Sequence, residues 1–114
     1  MSSANTRKDR FHVYVIELHP SVLTKGRYAE ANPGYVYSPQ YPPLYVGMTG
    51  RTPEVRFSQH KSGYKSSRYT KSLALKLRPD LDAILGTMSY EQARRWEMEL
   101  ADRLRVEGYA VWQN

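Results

Sequence analysis

Two apolar segments rich in β-branched and aromatic residues predict β-strands near the start of the chain. The first covers residues 11–18, FHVYVIEL, and the second covers residues 44–49, LYVGMT. The segment between them, residues 19–43, contains five prolines and four tyrosines. We expect it to form a long connection with a short strand at residues 35–37. Such a connection permits the two strands to pair antiparallel.

The residues that follow the second strand predict a helix with defined ends. Thr52 can cap its N-terminus, and Pro53 fits its first position because the N–H group that proline lacks has no helical partner there. We expect this helix to run to about Lys61 and to stop at Gly63. Residues 67–77 predict a second helix, since their apolar groups recur at helical spacing.

The C-terminal part of the chain predicts a strand, a long helix and a final short strand. Residues 81–85 are short and apolar, which favours a third strand of the sheet. The Ser-x-x-Gln capping box that begins at Ser89 predicts a helix over residues 90–107, with Gly108 as its stop. Residues 109–112 can add a last strand at the end of the chain.

The length of 114 residues leaves room for one domain and no second core. We expect a flexible polar leader over residues 1–10 and one α+β domain over residues 11–114. Its core would be a small antiparallel three-stranded sheet flanked by helices, in the order β-β-α-α-β-α. The chain has no cysteine, no signal peptide and no apolar run long enough to cross a bilayer. These features predict a cytoplasmic protein without a membrane partner.

The charge balance indicates a polyanionic partner. Lys and Arg number 17 against 11 Asp and Glu, which gives a net charge of +6. A basic excess of this size on a short chain most often serves nucleic-acid binding. The alternative is that the charge only keeps the protein in solution.

The last predicted helix carries a carboxylate on its apolar face. When residues are placed at about 100° intervals, Ala93, Trp96, Leu100 and Leu104 form one stripe, and Glu97 falls inside it. Burying a carboxylate costs free energy unless it is paired or binds a metal. Two interpretations stay open: a structural ion pair with an arginine, and a ligand for a hard cation such as Mg²⁺.

Other side chains that suit phosphate chemistry occur earlier in the chain. Arg56 and His60 are four residues apart and therefore share a helix face, and a guanidinium group can donate two parallel hydrogen bonds to phosphate. Tyr14 and Tyr45 lie among apolar strand residues, and Gly47 shares the strand face of Tyr45. Taken singly, each of these is equally well explained as a surface pair or a core aromatic.

The order of these residues resembles the GIY-YIG nuclease superfamily. The matching motifs are Val13-Tyr14, Tyr45-Val46-Gly47, Arg56 with His60, and Ala93-x-x-x-Glu97. The resemblance covers residues 11–114 and is greatest over residues 44–63. The chain departs from the family pattern at His12, which stands in place of the first-motif glycine, at Val46, which replaces isoleucine, and in its longer connection between the two tyrosine motifs.

The resemblance implies a metal-dependent endonuclease that hydrolyses DNA phosphodiester bonds. It implies that Glu97 holds one Mg²⁺ or Mn²⁺ ion at the scissile phosphate and that Tyr14 is the general base. Tyr45 would orient water or phosphate, and Arg56 would stabilise the pentacovalent charge. His60 would be an auxiliary donor or an alternative proton carrier. The rival interpretation is a catalytically inactive nucleic-acid-binding module on the same fold.

Further residues are predicted to contact nucleic acid, DNA rather than RNA. They are Gly47, Lys61, Lys65, Arg68 and Lys71. His12 is a further polar candidate near the site, and Asn114 matches a late polar residue found in parts of the family. The protein is expected to act as a monomer or a homodimer.

Overall fold

Four strands form one sheet in the computed structural model, which describes residues 9–113. β1 (His12–Leu18) pairs antiparallel with β2 (Leu44–Thr49) on one side and with β3 (Ala74–Leu77) on the other. β4 (Val111–Gln113) pairs parallel with β2, so the strand order is β3-β1-β2-β4. The predicted α+β class is confirmed, but the described sheet is mixed and four-stranded rather than antiparallel and three-stranded.

Five α-helices occur in the part of the chain that the structure describes. They are α1 (Gly26–Glu30), α2 (Pro53–Ser62), α3 (Thr70–Leu73), α4 (Pro79–Asp82) and α5 (Tyr90–Glu107). The two long helices have the ends that the sequence predicts. Thr52 caps α2 and Ser89 forms the capping box of α5, while Gly63 and Gly108 end these helices in the left-handed conformation.

The predictions for residues 67–85 are wrong in two places. Residues 81–85 do not form a strand, because they belong to α4 and to a 3-10 turn at Ala83–Leu85. The third strand comes instead from β3, which the sequence assigned to a helix over residues 67–77. Only α3 of that segment is helical. The open edge of β1 needs hydrogen-bond partners, and pairing with β3 supplies them, so tertiary contacts override the helical spacing.

The connection between β1 and β2 is folded and docked against the sheet. It forms a 3-10 turn at Pro20–Thr24 followed by α1, and the strand predicted at residues 35–37 is not found. The hydroxyl of Tyr28 donates a 2.8 Å hydrogen bond to the Leu44 carbonyl. The Asn32 side chain accepts from the Val111 amide at 2.7 Å and donates to its carbonyl at 3.0 Å. The connection is thereby tied to both β2 and β4.

The two faces of the sheet are covered by different parts of the chain. α5 packs on the face that carries Val13, Val15, Val46 and Val111. The opposite face carries Tyr14, Ile16 and Tyr45, and it packs against Tyr69 and residues of the connection, among them Val22 and Tyr28. The candidate tyrosines therefore lie on the side of the sheet away from α5.

Within residues 9–113, no helix combines the length and apolar character needed to cross a membrane. Most of the leader predicted over residues 1–10 lies outside the described residues, as does the candidate Asn114.

Candidate active site

Two tyrosines and a histidine meet on the sheet face opposite α5. The Tyr14 hydroxyl and Nε2 of His60 are joined by a 2.8 Å hydrogen bond. The ring of Tyr45 lies 6.2 Å from that of Tyr14 and 5.4 Å from that of His60, centroid to centroid. All three residues are buried, and His60 is 0% exposed. β1, β2 and α2 thus bring three predicted site residues into one group, here named the phenol–imidazole cluster.

Gly47 makes room for both phenols of this cluster. It lies opposite Tyr14 in the β1–β2 pairing and is itself buried. A Cβ atom at Gly47 would lie 2.6 Å from the Tyr14 hydroxyl oxygen and 2.9 Å from Cε1 of Tyr45. The missing side chain of Gly47 therefore admits the two rings, and the residue lies beneath them. Its predicted contact with nucleic acid stays a prediction.

Replacing Gly47 with alanine is expected to destabilise the fold by about 1–3 kcal/mol, because the methyl group overlaps rings that have little room to move. Urea unfolding of the purified variant measures this loss. The matched control is Gly26→Ala, where a Cβ meets no atom within 4 Å. Equal unfolding free energies for the two variants would show that the phenols do not need the space at residue 47.

Thr70 fixes the other side of the imidazole ring. Its Oγ1 lies 2.7 Å from Nδ1 of His60 and also accepts a 3.1 Å hydrogen bond from the Ser67 amide. Burial and, to a smaller extent, the positive charge of Arg56 lower the pKa of His60 to about 4. The ring is therefore neutral at physiological pH, with one N–H group and one lone pair for its two hydroxyl partners.

Arg56 lies one turn before His60 on α2 and holds the segment that follows the helix. Its guanidinium group donates to the Gln59 side chain at 3.1 Å and to the carbonyls of Tyr64 at 3.1 Å and Lys65 at 2.6 Å. Its charge lowers the pKa of both phenols in the cluster, although burial has the larger and opposite effect. Arg56 therefore places a positive charge beside the cluster.

Burial makes both phenols of the cluster weak acids. It raises the pKa of Tyr14 well above its usual value, and the neighbouring Tyr45 adds to the rise. Burial also raises the pKa of Tyr45 to about 12, and the negative charge of Glu97 acts in the same direction. A free phenolate is therefore not formed in this cluster unless positive charge or a proton acceptor assists it.

Glu97 is buried on α5 at 8% exposure, as its place in the apolar stripe predicts. Its Oε2 atom and the Tyr45 hydroxyl are buried polar atoms without a hydrogen-bond partner among the described residues. Burial raises the pKa of Glu97 to about 7, and the charge of Arg94 opposes the rise. α5 covers the other face of the sheet, yet the carboxylate is close enough to Tyr45 to raise the pKa of its phenol.

Glu97 and Arg56 do not form an ion pair in the described part of the chain, residues 9–113. The contacts of the Arg56 side chain are instead to the loop after α2. An ion pair between these two residues therefore does not explain why a carboxylate is buried on α5.

Four basic residues were predicted to contact nucleic acid, and all four are exposed. They are Lys61, Lys65, Arg68 and Lys71. Lys61 donates a 3.0 Å hydrogen bond to the Ala74 carbonyl, and the ammonium group of Lys65 lies 5.6 Å from the centre of the Tyr64 ring. The side chain of Lys71 lies over Gly63 at the end of α2. Arg68 lines a surface pocket together with Lys25 and Arg27.

His12 is half-buried at the start of β1, opposite Thr49. The alternation along β1 places it on the same face as Tyr14. Thr70 was not predicted as a site residue, because nothing in the sequence marks its hydroxyl group as a partner of His60.

Glu97 fits the role of a single protein ligand for a divalent ion. No group of three His, Asp or Glu residues that could hold a metal occurs in the described part of the chain. Mg²⁺, however, commonly binds through one or two carboxylates and completes its coordination with water and substrate phosphate. A buried carboxylate oxygen without a hydrogen-bond partner is suited to such a site.

Comparison of the chain with models of known protein families, with curated proteins and with solved structures gives no match.

Proposed function

We propose that the protein is a metal-dependent endonuclease of the GIY-YIG type that hydrolyses phosphodiester bonds, preferentially in DNA. The observation that carries the proposal is the Tyr14–His60 hydrogen bond together with two buried oxygen atoms that have no partner among the described residues. One is the hydroxyl oxygen of Tyr45, whose ring lies against both residues, and the other is Oε2 of Glu97, whose charge acts on Tyr45. Buried polar atoms without partners cost about 1–3 kcal/mol each, so they are retained where a ligand completes them. Water, phosphate and a cation together would supply those partners.

The hydrogen bond to His60 gives Tyr14 a way to accept a proton without becoming a phenolate. As water attacks phosphorus, one of its protons passes to the Tyr14 oxygen while the phenol proton passes to Nε2 of His60. The negative charge of the bound phosphodiester raises the pKa of His60 and favours this transfer. Thr70 accepts a hydrogen bond from Nδ1 of the resulting imidazolium and keeps the ring in position.

The remaining residues of the site would act on the phosphate and on the attacking water. The Tyr45 hydroxyl, which has no partner among the described residues, can orient the water. Arg56 uses three of its five N–H donors in contacts within the described chain, so donors remain for a phosphate oxygen. A divalent ion bound to Glu97 would supply a Lewis acid that neutralises charge on the phosphate oxygens. The P–O bond then breaks, the leaving oxygen takes up a proton from solvent water, and the His60 imidazolium returns its proton to solvent.

A cleavage assay on labelled DNA and RNA tests this function. Purified protein is expected to cut DNA in the presence of Mg²⁺ or Mn²⁺ and to stop when the ions are removed with a chelator. Duplex, single-stranded and branched substrates should be compared at equal concentration. Salt-sensitive binding without cutting in either metal would refute the enzyme and support the inactive binding module. Absence of both cutting and binding would refute both.

We also propose a cytoplasmic location and action as a monomer or a homodimer. A chain without cysteine suits a reducing compartment. One site per subunit cuts one strand at a time, so a double-strand break would need two subunits or two successive events.

A further inference from the structure

Three basic side chains line a pocket between the connection and the segment that follows α2. The pocket has a volume of about 430 Å³. Its lining residues are Thr24, Lys25, Gly26, Arg27, Arg68 and Tyr69. The three charged members are all cations, and they come from two segments of the chain about forty residues apart. The fold therefore assembles this concentration of positive charge.

The three cations of this pocket have no acidic partner among residues 9–113. Arginines elsewhere do pair, as in the 3.0 Å contact of Arg78 with Glu17 and the 3.1 Å contact of Arg103 with Glu99. Glu30 ends α1 but makes no ion pair with any described residue. Like charges that share a pocket repel one another and attract anions, so an anionic occupant is expected.

The basic character of the pocket continues in the chain segment that contains Arg68. Between Val55 and Pro79 the chain contains seven Lys or Arg residues and no Asp or Glu. The exposed surface of α5 is different, because its four exposed acidic residues are largely offset by three exposed arginines. The acidic residues are Glu91, Glu99, Asp102 and Glu107, and the arginines are Arg94, Arg95 and Arg103. An extended polyanion would therefore be drawn to the pocket and to this basic segment rather than to the exposed surface of α5.

One short segment connects the pocket to the phenol–imidazole cluster. Arg56 holds its start through the Lys65 carbonyl, and Thr70 at its end binds His60. Between these points, the buried ring of Tyr69 packs edge-on against that of Tyr28 in α1, with centroids 5.5 Å apart. The backbone at residue 68 is therefore fixed between the cluster and α1.

We infer that Lys25, Arg27 and Arg68 form a second phosphate-binding site, which holds the backbone of the same nucleic acid at a phosphate beside the one that is cut. The inference rests on the proposed nuclease function and extends it to the connection. Guanidinium and ammonium groups suit phosphate oxygens, and contacts with phosphate position a nucleic acid without reading its sequence. The long connection thus serves to hold the substrate strand in register with the cluster.

Binding of fluorescently labelled DNA to the double variant Lys25→Gln/Arg27→Gln tests this site. The matched control is Arg95→Gln/Arg103→Gln, which removes the same charge from exposed positions on α5. Anisotropy titrations without divalent metal, at several NaCl concentrations, give the affinity and its salt dependence. The pocket variant is expected to bind about tenfold more weakly than the control. The slope of log K against log salt is negative, and for the pocket variant it should be shallower than for the control by roughly 1.8 on duplex DNA or roughly 1.4 on single-stranded DNA.

Two outcomes separate this inference from the proposed function. If wild-type protein cuts DNA and the pocket variant binds with the affinity and salt slope of the control, the second site is refuted and the nuclease proposal stands. If wild-type protein neither binds nor cuts, both are refuted. Circular dichroism verifies that the variants are folded, and Arg68→Gln, which alters the opposite wall of the pocket, should lower the affinity in the same direction.

Discussion

Replacing Glu97 with glutamine is expected to reduce metal-dependent cleavage by about 10³-fold or more, which corresponds to roughly 4 kcal/mol of transition-state free energy. The amide has the size of the carboxylate but lacks the charge that a hard cation prefers. The protein should stay folded with an equal or higher free energy of unfolding, because the buried carboxylate has an oxygen without a partner. Single-turnover cleavage and urea unfolding measure the two effects.

The control for this experiment is Glu99→Gln. Glu99 lies on the exposed side of α5 in a surface ion pair with Arg103, so its loss should change neither cleavage nor stability appreciably. A structural role for Glu97 would give the opposite pattern: breaking a buried ion pair costs about 3–5 kcal/mol and would not act selectively on the metal-dependent rate. Wild-type cleavage by Glu97→Gln would rule out the proposed metal ligand.

Replacing Tyr14 with phenylalanine is expected to lower the cleavage rate by about 10²–10⁴-fold, the range for loss of a general base. The ring that fills the space above Gly47 is kept, while the hydroxyl that links water to His60 is lost. Leaving Nε2 of His60 buried without a partner should also cost about 1–3 kcal/mol of stability. The rate is measured at saturating protein, so that weaker binding does not contribute.

The control variant Tyr28→Phe separates stability from chemistry. Tyr28 is also fully buried, and its hydroxyl also makes a 2.8 Å hydrogen bond, but that bond ties the docked connection to the Leu44 carbonyl of β2. The two variants should therefore lose similar stability, and only Tyr14→Phe should lose the chemical step. Equal cleavage rates for both variants would exclude a catalytic hydroxyl at Tyr14.

The fold was predictable where local sequence fixes the ends of an element. Thr52 with Gly63, and the capping box at Ser89 with Gly108, define α2 and α5, because capping depends on a few neighbouring residues. β3 was not predictable in this way. Its residues have helical spacing, and they become a strand only because β1, more than fifty residues earlier in the chain, offers an edge to pair with.

The sequence predicts the parts of the candidate site that depend on the order of motif residues along the chain and on the apolar stripe of α5. The apolar stripe of α5 correctly predicts that Glu97 is buried, and Tyr14, Tyr45 and His60 do meet. The hydroxyl of Thr70 and the cations at residues 25 and 27 could not be found from the sequence. Their positions depend on how the loop after α2 and the long connection dock, which no local pattern records.

The hydrogen bonds of the Asn32 side chain bear on the order in which parts of the protein fold during synthesis. Its hydrogen-bond partner Val111 lies 79 residues further along the chain, so a ribosome must make the chain as far as residue 111 before this contact can form. Closing a loop of this length costs conformational entropy, and the contacts made between its ends must compensate that cost. The connection that carries Lys25 and Arg27 would accordingly dock late, and a nascent chain could not hold nucleic acid in the pocket until residue 111 had been made.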